Sequence, residues 1–164
     1  MVTRVSKVVM CFCLAIFAFL VTFGNISDYG SNYAFVQHVL SMDTTFPGNA
    51  LMYRSVTNPS LWTAGYWLII LGEGITCILF LVAGSKLWQA RNAPAQEFQK
   101  AKDFMVIGAT MGFLVWFLGF MAIGGEWFAM WQSETWNGQE AAFRFYISIL
   151  AVLIFVMLPD PDRA

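Results

Sequence analysis

The chain has 164 residues, of which 59% are hydrophobic and only 12% charged, with 16 Phe and 7 Trp among them. A soluble domain carries roughly 25% charged residues, so this composition excludes a water-soluble fold and points to a bilayer, where outward helix faces need no polar cover. The formal net charge of -1 comes with no basic run and no acidic tail, which leaves nothing to hold nucleic acid.

Arg4 and Lys7 precede the first apolar segment, Val8–Ile26. It exceeds the roughly 7–15 residues of a signal-peptide core and no A-x-A-like cleavage site follows, so it reads as an uncleaved anchor. The segment Ser27–Ser60 is too long for a turn. Within it Asn32–Met42 places Phe35, Val36, Val39, Leu40 and Met42 at helical spacing, predicting a short amphipathic helix lying in the interface, capped by Ser31 or Asn32. The turn-rich stretch Asp43–Asn49 follows, where Asp43 and Thr44 are expected to bond exposed backbone N–H groups.

The second span is Leu61–Gly84, with Glu73 its one charge. The loop Gln89–Asp103 opens a short charged helix, and its Lys100 and Lys102 are expected at anionic headgroups. The third span is Phe104–Ile123, extending to Trp131, and a tight Asn137-Gly138 turn leads to the fourth, Ala142–Leu158, which stops at Pro159. Each segment is near the ~20 residues that cross a bilayer. The expected fold is all-α: residues 1–164 form one integral membrane domain, a four-helix bundle with a short interfacial helix in the first outer loop.

Seven of the nine Lys and Arg residues (Arg4, Lys7, Lys86, Arg91, Lys100, Lys102 and Arg163) fall on one side of these spans, and Arg54 and Arg144 fall on the other. The positive-inside rule then puts both termini in the cytoplasm. Trp62, Tyr66 and Trp67 mark the outer end of the second span and Trp88 its inner end, while Trp127, Trp131 and Trp136 gather at the outer interface. An interfacial aromatic belt accounts for them; a ligand-binding aromatic pocket is the alternative.

Glu73 is the most informative single residue. A carboxyl at mid-depth is costly and faces protein or water. Helical spacing puts Tyr66, Ile69, Thr76, Cys77 and Phe80 on its face, with Thr76 or Tyr66 as hydrogen-bond partner, and Gly72 and Gly74 allow close helix approach. Two roles compete: a neutral acid joining helices, or a group that handles a proton or cation. In the third span Gly108, Gly112 and Gly119 form a packing face, with Val115 and Ala122 between them. Glu126 continues that face and is expected to pair with Arg144, for which Glu140 competes at i,i+4 spacing.

His38 is the only histidine, so a metal would have to recruit it with Asp43, Glu126 or Glu134, scattered carboxylates without ligand spacing. Cys11, Cys13 and Cys77 lie in apolar stretches and read as packing residues. No catalytic residue, metal or cofactor is expected: one histidine does not build a nucleophile–base–orienter set, no intramembrane histidine pair invites haem, and no glycine loop precedes a Lys-Ser/Thr pair.

Asn32–Tyr33, the run Met42-Asp43-Thr44-Thr45-Phe46, Glu73 and the Gly124–Gln139 block together resemble a bacterial family of small integral membrane proteins, a domain of unknown function, over nearly the whole chain. The resemblance implies four spans in a bacterial inner membrane and brings no activity, cofactor or catalytic residue. The expected role is a non-enzymatic accessory or structural subunit, packing in the bilayer with other subunits of a respiratory or transport complex or with itself. The alternative is an oligomeric channel or transporter for ions, protons or small solutes that uses Glu73. A membrane enzyme using Glu126, Glu134, His38 or Asp43 ranks last.

Overall fold

The computed structural model describes residues 1–161, so Arg163 lies outside the described residues. The helices are α1 (Val2–Ser27), α2 (Tyr29–Ser41), α3 (Pro59–Gln89), α4 (Ala95–Lys100), α5 (Asp103–Phe113) and α6 (Gln139–Met157). A π-helical segment, Leu114–Trp127, continues α5 without a break. Four stretches are long and apolar enough to cross a membrane: Val2–Ser27, Pro59–Asn92, Ala95–Trp127 and Gln139–Met157. The chain is therefore an all-α, four-span membrane bundle. Local chemistry sets its punctuation. Asn58 caps α3 by accepting from the Ser60 N–H, Pro59 occupies the first turn where its missing N–H costs nothing, and α6 stops just ahead of Pro159.

The interfacial helix exists but begins three residues before Asn32. Only Asp28 separates α1 from α2, and its N–H still bonds Gly24 O. Neither Ser31 nor Asn32 caps the helix from outside; both lie within it, and the Ser31 hydroxyl donates to Asp28 Oδ1. At the end of the bundle opposite the termini (the far end), the apolar face of α2 meets the loop between the π-helical segment and α6, where Val39 and Met42 pack with Phe128, Ala129 and Met130. Polar links join this loop to the one that follows α2. The Thr44 hydroxyl donates to Ser133 Oγ at 2.9 Å and the Phe46 N–H to Gln132 Oε1 at 3.1 Å.

In the bundle, α1 runs along α3, α3 along α5, and α6 closes against α5 and the π-helical segment. A Cβ on Gly72 would meet Val115 at 2.7 Å, on Gly108 the Phe80 ring at 2.9 Å, and on Gly112 Ile149 at 2.8 Å. These glycines permit the close approach. Gly119 departs from the expected face: its nearest neighbour would be its own helix's Leu114 O at 3.8 Å. It faces an apolar cavity bounded by Val36, Leu40, Gly65 and Ile69 of α2 and α3, so no side chain stands close to it.

At the end carrying both termini the structure corrects the expectation for Lys102. It is fully buried, as is Lys7, and both ammonium groups donate to Asp160 Oδ2 at 2.7 Å. Each also donates to Leu158 O, at 2.6 Å from Lys7 and 2.9 Å from Lys102. Arg4 is buried beside them and donates to Ala93 O at 2.6 Å and Pro161 O at 3.3 Å. The chain after α6 crosses the mouth of the bundle and carries a carboxylate inward, which draws Lys102 away from the headgroups; Lys100 stays exposed.

Candidate functional site

Glu73 sits about midway along α3 and is 1% exposed. Asn25, in the last turns of α1, donates from Nδ2 to Glu73 Oε2 at 2.7 Å. Asn25 is in turn fixed by Tyr66, whose hydroxyl donates to the Asn25 carbonyl at 2.7 Å. The Tyr66 ring is buried and meets Tyr29 edge-on at 4.8 Å between centroids. The expected partners are thus displaced by one from another helix. Tyr66 lies two helical turns, ~10 Å, from Glu73 along α3 and acts through Asn25. Thr76 turns back on its own helix and donates to Gly72 O at 2.8 Å.

A cavity of about 240 Å³ lies over this group. Its polar lining is Asn25, Asn32 and Glu73; Phe35, Tyr66, Trp116, Phe120 and Phe145 supply ring faces and edges, and no Lys, Arg or His lines it. A second cavity of about 180 Å³ shares Phe35, Val36, Ile69 and Phe120 as walls and is lined by apolar residues throughout, Met130 and Phe128 among them. Toward the termini the interior is filled: Cys11, Ala15, Phe80, Ala83 and Leu87 are all closed from solvent. The carboxyl therefore stands at the floor of a one-sided cavity under the far-end cap.

The remaining candidates occupy other places. His38 Nδ1 lies 2.9 Å from both Asp43 oxygens, and its ring stacks on Trp136 at 4.7 Å, so Asp43 binds the histidine where a backbone N–H was expected. Glu126 and Glu134 are exposed and do not join them; among the described residues no three His, Cys, Asp or Glu side chains converge. Glu126 does not pair with Arg144. Arg144 bonds Glu140 one turn earlier on α6, at the surface, while the carbonyls of Glu126 and Trp127 accept from Arg54. Glu126, at the end of the π-helical segment, is exposed. Trp127 and Trp131 are half-exposed; Trp127 lies under the Arg54 guanidinium and Trp131 meets Phe46 edge-on. Trp136 is turned inward against His38 and Phe35, so the three tryptophans do not share one surface.

The cluster that sequence reasoning missed is Lys7–Asp160–Lys102. Burial pushes the Asp160 carboxyl up, but hydrogen bonds and charge from Lys102 and Lys7 outweigh it and hold the group below the usual carboxylate range. Its one signal in the sequence is an acid set between Pro159 and Pro161 just past a span, a position where an extended chain can lie back across the bundle.

One family model, predicted small integral membrane protein (DUF2165), matches residues 3–159. No curated protein and no solved structure matches the chain. The family match takes in the four apolar helices, the Glu73 cavity and the far-end cap, and the chain belongs to this family of small integral membrane proteins.

Proposed function

We propose that the chain is a non-enzymatic accessory subunit of a larger assembly, respiratory or transporting, in a bacterial inner membrane, with both termini in the cytoplasm. One observation carries this reading. At the end opposite the termini, Tyr53 is 76%, Phe46 55%, Trp127 52% and Trp131 50% exposed, and the Arg54 guanidinium lies against both the Tyr53 and Trp127 rings. Large aromatic side chains with an arginine among them are the usual anchors of protein interfaces. The cap beneath them is locked by the Thr44–Ser133 and Phe46–Gln132 bonds, so the rings are presented by a fixed frame. The orientation rests on the distribution of positive charge, to which the exposed Lys86 and Lys100 contribute on the termini side.

Purification from native membranes in a gentle detergent, followed by native mass spectrometry, tests the proposal. Foreign polypeptides at fixed stoichiometry are expected, and Trp127→Ala with Trp131→Ala should release them. A chain that emerges alone or only with itself would overturn the accessory role. The second reading, an oligomeric channel or transporter, is favoured by the position of Glu73 in a cavity and opposed by the filled interior beyond it. Under that reading Glu73→Gln abolishes flux in reconstituted vesicles while assembly persists.

A further inference from the structure

We propose that the cavity over Glu73 is a binding site for a small organic ammonium ion with an apolar substituent, independent of whether the chain serves as an accessory subunit. Among the described residues Asn25 is the one polar side chain bonded to Glu73, through Oε2, and no lysine, arginine or histidine lines the cavity. A carboxyl at mid-depth is met by a proton or by a cation. A cation that enters here finds two features that an inorganic ion does not need. Phe35, Tyr66, Trp116, Phe120 and Phe145 surround the space with aromatic surface, which attracts an organic cation and tolerates its loss of water. The adjoining cavity of about 180 Å³, bounded by the stacked Phe35 and Phe120 rings, is apolar throughout and suits a short hydrocarbon substituent.

The site is built rather than incidental. Tyr66 holds Asn25, and Asn25 holds one oxygen of Glu73, so that the carboxyl is fixed in place. Asn32, from α2, adds a second amide to the lining, and Gly138 and Ala141 keep its α6 side low. A Cβ on Gly138 would meet the Phe35 ring at 2.9 Å and Phe120 at 3.2 Å, so a larger residue there would displace the two rings that separate the cavities. The arrangement matches charge, shape and polarity to one chemical class: a cationic head, fewer than a full hydration shell, and a hydrocarbon remainder.

Thermal unfolding of the full chain in a nonionic detergent, titrated with n-hexylammonium and with n-hexanol, tests this. Ligand bound to the native state raises the unfolding midpoint with the logarithm of its concentration. The expected result is a saturable rise with hexylammonium, absent with hexanol at equal concentration, and lost in Glu73→Gln. Ala141→Phe, a change at an exposed position on the cavity wall that leaves the carboxyl in place, should weaken the same response. Equal responses to amine and alcohol, or a hexylammonium response that survives Glu73→Gln, would overturn the proposal. If Glu73→Gln fails to fold, an unimpaired response in Ala141→Phe overturns it instead.

Discussion

Among the described residues, two carboxyl groups are buried, in two different ways. Asp160, at the termini end, accepts from two ammonium groups and joins α1, the α4–α5 junction and the tail that follows α6. Glu73, at mid-depth, accepts from one amide and joins α1 to α3 beside a cavity. Both groups are withdrawn from water, yet only Asp160 has charge compensation built into the fold. A buried charge with its counter-charges in place is a structural tie, while a carboxyl without one, walled by aromatic rings, keeps capacity for something outside the chain.

Removing each carboxyl should separate the two most sharply. Asp160→Ala leaves two buried ammonium groups uncompensated, and the expected loss is about 3–5 kcal/mol in denaturant unfolding in detergent. Gly112→Leu drives a side chain into Ile149 and should cost about 1–3 kcal/mol. Gly119→Leu, from the same expected face but without a close neighbour, should stay within about 0.5 kcal/mol. Equal costs at the two glycines would contradict the difference between a closed contact at Gly112 and a cavity wall at Gly119. Glu73→Gln keeps an acceptor for Asn25, so its cost should be under about 1 kcal/mol, the scale of one hydrogen bond. A loss as large as that of Asp160→Ala would make Glu73 a structural tie as well. Arg144→Ala breaks only an exposed i,i+4 pair with Glu140 and should cost about 0.3–0.5 kcal/mol; a larger loss would reinstate a buried partner such as Glu126.

The spans were legible because each is a long apolar run ended by polar or helix-breaking residues, and α2 because Phe35, Val36, Val39 and Leu40 recur at helical spacing. Glu73 was legible for the same reason in reverse, as a lone charge in an apolar run. Its partner was not. Spacing along α3 reaches Tyr66 and Thr76, whereas Asn25 comes from α1, and the crossing of two helices is a tertiary fact. The Glu126–Arg144 expectation failed because α-helical spacing was carried through Leu114–Trp127, where the winding changes. Lys102 read as a headgroup charge and Lys7 as a positive charge ahead of the first span, because nothing local to either points to Asp160, more than fifty residues from Lys102 and further from Lys7. Hydropathy locates elements; the pairing of polar groups between them depends on how those elements pack.

Asp160 is held ionised by its two lysines and ties the termini end together. Its carboxyl titrates below the ordinary value of 3.8 in the folded protein, so its stabilisation is complete at neutral pH and is lost as pH falls through the folded value. The direct measurement is the unfolding midpoint of the original chain and of Asp160→Asn as pH is lowered from 6 to 2 in the same detergent (about the range over which an ion-paired carboxylate gives up its contribution). A wide gap between the two proteins at pH 6 that closes below pH 3.8 is expected. A gap that stays constant down to pH 2, or no gap at pH 6, would contradict it.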